Sequence, residues 1–327
     1  VRGGTAMSYY TERHGLRTPI ERTETISFEM YSLLYDCCAR FFDNVAWQYP
    51  DECPDGNGCC GLDLGKLSTA MSFEIPTLFR NQNGIIDKPH KGSWNYDDDN
   101  FDQYGLLDFI EFMYSNCKDI SSRWWHSFHR HYDISFDNTR ASANEFKSAI
   151  NGIFEKTGLL YTLTDQGMVE RIVENGVLSK GIEATVLQVK EKGLKELLDD
   201  AILAYKTPHP AARKDAVEKI WDALERLKSY YATSKKDKTV SISTIVAAIS
   251  GGDDYFRTLF DNEFRVLSDI GNSCFIRHSE VYQNQIEDNR YYDYFFNRCL
   301  SLIALTIQYL RTTGTDDAGG ETDGLPF

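Results

Sequence analysis

The chain has 327 residues, enough for roughly two or three domains of ordinary size. A hydrophobic share of 42%, a charged share of 26% and an aromatic share of 13% supply a core and exclude a disordered or collagen-like chain. A formal net charge of -14 excludes a protein that coats nucleic acid through a uniformly basic surface.

In chain order, Val1 to Ala6 lacks the charged-then-apolar pattern of a secretory leader, and Met7 is read as the natural start. Residues 7–122 read as a mixed, mostly helical region. A helix is expected from Ile26 to Phe42, with Met30, Leu33, Leu34, Cys37 and Phe41 on one face. Tyr49 to Gly61 contains Pro50, Pro54, Gly56, Gly58 and Gly61 and is expected to be a chain-breaking loop. That loop holds Cys53, Cys59 and Cys60, downstream of Cys37 and Cys38. The C-x5-C-C spacing departs from paired C-x-x-C metal knuckles, so it is read as a structural loop, with a metal or redox site as the alternative. Eight cysteines are too sparse for a disulfide scaffold and suit a reduced, cytoplasmic protein. Leu67 to Phe79 is expected to be helical as far as Pro76. Asp97, Asp98, Asp99 and Asp102 read as a solvated acidic loop, and Leu106 to Tyr114 as a short helix.

Residues 123–192 read as a small α/β module. Its elements are a strand from Tyr132 to Phe136, a helix from Ala143 to Lys156, and a hairpin of Leu159 to Leu163 with Met168 to Val173. Residues 193–311 read as a helical bundle. Its helices are Leu194 to Lys206, Pro210 to Ala232, Ile242 to Ile249, Asp253 to Ile270 and Tyr291 to Leu310. The second has a stripe of Ala216, Val217, Ile220, Trp221, Leu224 and Leu227, and the fourth one of Phe256, Leu259, Phe260, Phe264 and Leu267. Residues 312–327 read as a disordered tail. The fold class is therefore mainly α, of α+β character. No apolar run reaches the ~20 residues of a membrane-spanning helix.

No phosphate-binding Gly-rich loop, nucleophile elbow or H-E-x-x-H motif is present. Chemistry would have to come from single polar residues, and two segments concentrate them. In Arg123 to His131, His126, His129 and His131 could hold a transition metal or act near neutral pH. The alternative is a polar strand under Trp124 and Trp125, with His129 and His131 sharing a face with Asp133. In Asn272 to Glu280, Arg277 could grip a phosphate bidentately while His278 moves a proton. The alternative there is a loop in which Arg277 pairs with Glu280.

The runs Ala216 to Lys228, Ile276 to Glu280 and Tyr291 to Arg298 resemble the AbiJ-like group of bacterial abortive-infection proteins, whose last domain is a HEPN-type helical bundle. Phe146 to Arg171 looks like the small domain that precedes that bundle. The resemblance implies phage defence and metal-independent cleavage of RNA by a homodimer, with no cofactor and no membrane. It also allows a phage-derived trigger or an associated defence protein as partner. It carries Arg277 and His278 as catalytic candidates, with Asn272 and Glu280 beside them. The family pattern is an Arg, often followed by Asn, with a His four to six residues after the Arg. Here Gly271 precedes Asn272 and Arg277 adjoins His278; a literal R-x5-H occurs only at Arg123 and His129, outside the bundle. A non-catalytic sensor or interaction module is the second reading.

Overall fold

The computed structural model describes residues 10–14, 16, 20–56, 58–90, 101–173, 176–232, 237–274 and 286–312. The architecture is mainly helical with a small antiparallel sheet, as the sequence pattern implied. The chain divides into two compact units, Val1–Ile172 and Val173–Phe327.

The first unit is built on α2 (Phe28–Ala39), α5 (Gln103–Asn116) and α6 (Ala141–Thr157), after a short α1 (Tyr10–Arg13). Ser27 caps α2 by accepting from the Met30 N–H, and Asp102 caps α5 by accepting from Tyr104. The buried face of α2 is Tyr31, Leu34, Tyr35, Cys37 and Cys38, whereas Leu33 is 51% exposed. Tyr31 and Tyr35 take the core side that the expected stripe had given to Leu33. Between α2 and α5 come α3 (Phe42–Val45), β1 (Pro50–Glu52), β2 (Cys59–Leu62) and α4 (Leu64–Glu74). The expected loop from Tyr49 to Gly61 is thus a hairpin. After α5 come β3 (Asp119–His126) and β4 (His131–Asp137).

The sheet runs β1-β2-β4-β3, all antiparallel. Strand β4 returns from the β3 turn to lie between β3 and β2, which brings two hairpins separated by about 70 residues side by side. A second pair, β5 (Tyr161–Leu163) and β6 (Val169–Arg171), follows α6. Phe146, Ile150, Phe154 and Tyr161 share one core with Tyr31, Leu34, Phe109 and Met113. The expected boundary at 122/123 therefore runs through a single hydrophobic core rather than between two.

The second unit is helical: α7 (Lys180–Leu187), α8 (Lys192–Lys206), α9 (Ala211–Leu227), α10 (Lys238–Ser250), α11 (Asp254–Ser273) and α12 (Asn289–Thr312). Helix α7 had no counterpart in the sequence reading; its Val186 is buried in the core of this unit. The whole α9 stripe from Ala216 to Leu227 is buried, with Trp221 among the largest enclosed side chains. On α11 only the later part of the expected stripe is enclosed: Phe264 and Leu267 are buried while Phe256 and Leu259 are each 47% exposed. Polar clamps link the helices. Arg226 of α9 donates two hydrogen bonds of 2.7 Å to Glu191, which also accepts from the Gly193 and Leu194 N–H groups at the start of α8. Arg298 of α12 grips Glu263 of α11 at 2.8 and 2.9 Å. Tyr205 stacks on Phe296 at 3.7 Å between ring centres and accepts from Asn297. Among the described residues no helix is long and apolar enough to cross a membrane.

Candidate functional site

Of the residues singled out for RNA chemistry, Asn272 is placed in the last turn of α11; Arg277, His278 and Glu280 lie outside the described residues. So do Asp97, Asp98 and Asp99, while Asp102 is the N-cap of α5. The end of α11 accounts for the glycine that precedes Asn272. A Cβ built on Gly271 would stand 2.1 Å from the Trp221 indole. Glycine at 271 lets α9 seat its Trp221 directly on the α11 backbone, and no arginine can precede Asn272 without evicting that ring.

The described residues converge most strongly elsewhere, on the paired hairpins of the first unit. Between β1 and β2 the chain turns tightly: Cys53 N–H donates to Gly58 O at 2.9 Å, and Gly56 N–H to Cys53 O at 2.7 Å. The β1–β2 register pairs Asp51 with Gly61 and Glu52 with Cys59, so Cys60 is an extra residue with no partner across the ladder. Such a bulge re-aims its side chain. Cys59 instead turns its thiol toward the Ala46 and Gly61 carbonyls. Across the sheet Cys59 pairs with Ile134, so Cys60 and Asp133, one step along each strand, share the opposite face. His131 lies two residues before Asp133 and joins that face.

The β3–β4 turn finishes the cluster. His126 and His131 are cross-strand partners, joined by Ser127 to Arg130, with Arg130 in the left-handed region at φ 59°. Its N–H donates to His126 O at 2.8 Å and closes the turn. His129 therefore sits in the turn, not on the expected strand, yet its ring stacks on His131 with centres 5.7 Å apart. The expected cover of two tryptophans is absent, since Trp124 is 64% and Trp125 47% exposed.

These folds gather Cys53, Cys60, His131 and Asp133, each offering one donor atom, with all four atoms within 4.8 Å of one another. Cys53 is buried; the other three are half-buried. His131 Nε2 and Asp133 Oδ1 stand 3.2 Å apart, within ion-pair distance, and among the described residues neither buried atom makes an aligned hydrogen bond. Around them, His126 Nδ1 lies 3.4 Å from Cys53 Sγ and 3.6 Å from Asp133 Oδ2. Asp55 spans His129 Nε2 at 2.8 Å and His126 Nε2 at 3.5 Å. The hydrogen bond with His129 holds the Asp55 carboxyl below the usual carboxylate range. Burial, reinforced by Cys53 and Asp133, pushes the Cys60 thiol up to about 11. Gly58 leaves room for the carboxylate: a Cβ at that position would stand 2.4 Å from Asp133 Oδ1, so a larger residue would push the Asp133 side chain aside. Cys37 and Cys38, grouped with this cluster by sequence proximity, are buried on α2 in the hydrophobic core.

In the sequence the two halves of the cluster stand as separate Cys-bearing and His-bearing segments. The signal available was the occurrence of Cys, His and Asp around two turn-rich segments; the pairing of β2 with β4 was not visible in either.

No curated protein and no solved structure matches the chain. The family model for AbiJ N-terminal domain 4 matches residues 8–188, just over half of the sequence, including both hairpins and all of α2 through α7. The chain belongs to the AbiJ N-terminal domain 4 family, and is thereby an AbiJ-like abortive-infection protein.

Proposed function

We propose that this protein is a phage-defence effector that cleaves RNA without a metal, through a HEPN-type site on its helical second unit. The reading rests on membership of an AbiJ family over residues 8–188, with a second unit whose described elements are all helices. In that unit the Arg277-His278 pair falls in the sequence connecting its two longest helices, α11 and α12. Arg277 would hold the scissile phosphate through its guanidinium fork. His278 would take the 2′-hydroxyl proton or return one to the leaving oxygen. Asn272 and Glu280 would position the pair, and a homodimer would set two such pairs against one strand. RNA reaches a net-acidic chain this way because one arginine grips one phosphate; no basic surface is needed.

The test is incubation of the purified protein with total RNA in chelator. Cleavage that falls by ~100-fold or more in His278→Ala supports the assignment, given what a general acid–base group ordinarily contributes. Cleavage unchanged in that variant refutes it. The second reading, a sensor or interaction module without catalysis, is favoured by Gly271, whose contact with Trp221 leaves no room for the arginine that precedes Asn in the family pattern. It predicts no RNA cleavage by wild type, together with growth arrest on infection that survives Arg277→Ala.

A further inference from the structure

We propose that the two hairpins of the first unit form a structural zinc site, with Cys53, Cys60, His131 and Asp133 as its four ligands. The donor set decides the metal. Two sulfurs with one nitrogen and one oxygen do not suit magnesium or calcium, which take oxygen ligands. A closed set of four mixed S, N and O donors fits zinc in tetrahedral coordination. The spacing agrees. Zinc bonds of about 2.0–2.1 Å to nitrogen and oxygen place those atoms about 3.3 Å apart on a tetrahedron edge. His131 Nε2 and Asp133 Oδ1 are 3.2 Å apart.

An independent observation points the same way. Those two atoms are buried and make no hydrogen bond with each other or with any other described group. At 3.2 Å they can form an ion pair if the imidazole is charged, but they lack an aligned hydrogen bond, and a buried pair of this kind is best satisfied when a proton or a cation sits between them. A cation between them satisfies both at once. The backbone is shaped for it as well: the bulge turns Cys60 inward, and Gly58 leaves space for the Asp133 carboxylate. Each hairpin thus supplies two ligands, so the metal ties together strands that pair directly only at Cys59 and Ile134. His126 lies beside both Cys53 and Asp133 and orients them from outside the coordination sphere. On binding, each cysteine thiol releases its proton to solvent and one zinc ion is taken up by two thiolates, one carboxylate and one neutral imidazole.

The test uses the full chain. Zinc measured by mass spectrometry on protein purified without chelator should approach one ion per molecule. Replacement by cobalt(II) should give the visible bands of tetrahedral cobalt together with thiolate-to-cobalt charge transfer. Cys60→Ser should lose about half of the charge-transfer intensity and most of the bound zinc. Cys59→Ser, altering the neighbouring thiol that faces the other way, should keep both. His126→Ala should retain the cobalt spectrum but bind ~10–100-fold more weakly, as expected for a group acting through the ligands. Should Cys60→Ser not fold, the wild-type stoichiometry and cobalt spectrum decide alone. Folded wild-type protein with no zinc and no cobalt bands overturns the proposal, as does Cys59→Ser matching Cys60→Ser.

Discussion

Two glycines show how single residues set this molecule's chemistry. Gly58 admits the Asp133 carboxylate to the hairpin cluster, and Gly271 admits the Trp221 ring to α11. In both cases the neighbour occupies the volume a Cβ would need. Gly58→Ala should therefore weaken cobalt binding, because the carboxylate must retreat from the three other donors; a cobalt titration with unchanged affinity would contradict this. Gly271→Ala should cost about 1–3 kcal/mol, the usual range for overpacking a filled core. Urea unfolding followed by Trp fluorescence reads it, and a midpoint equal to wild type would show that Trp221 has other room.

At the scale of elements, one carboxylate joins sheet to helix. Helix α6 begins after Arg140, whose side chain makes no cap. Asp119 of β3 does the work instead, accepting from the Ala141 and Ser142 N–H groups and from the Thr139 hydroxyl. These hydrogen bonds hold its carboxyl well below the usual range. A depressed native value contributes stability that is present above the unfolded value of about 3.9 and lost as pH falls below it toward the native value. Asp119→Ala should cost about 1–2 kcal/mol at neutral pH and remove that part of the acid sensitivity. Urea midpoints measured at pH 7 and pH 3 check both. The Glu191–Arg226 clamp follows the same sign, with Glu191 held at about 2 chiefly by the guanidinium. It is partly exposed, so Glu191→Gln should cost no more than about 1 kcal/mol.

Which elements could be read from sequence follows from the same physics. Helices α6, α8, α9 and α12 announce themselves because one face repeats at helical spacing and is the face that is buried. The β5–β6 hairpin was legible from Asp165-Gln-Gly167 between two apolar runs. The β1–β2 hairpin was not, since Pro50, Pro54, Gly56, Gly58 and Gly61 read as breaks while serving as edge, turn and bulge residues. The metal-ligand cluster was illegible for a different reason. Its halves are more than 70 residues apart, each with non-standard spacing, and only the strand order β2-β4 makes them neighbours. The residues carried over by resemblance for RNA cleavage are placed by the fold only at Asn272.

At the scale of the whole molecule, each unit owns a core, and the boundary after Ile172 differs from the end of the family match at residue 188. The difference is α7, whose Val186 is buried with the second unit's helices. A fragment ending at 172 should unfold cooperatively on its own, as circular dichroism in urea would show; a fragment ending at 188 would carry α7 without the core it packs against. If the fragment ending at 172 gave no cooperative transition, the two cores would not be independent. With zinc bound as proposed, the first unit's paired hairpins are organised around one metal ion held by sulfur and by light atoms. X-ray absorption at the zinc edge on the intact protein tests it most directly. Two sulfurs at about 2.3 Å and two nitrogen or oxygen atoms at about 2.0–2.1 Å are the expected shell. A shell of nitrogen and oxygen alone, with no sulfur, would contradict it.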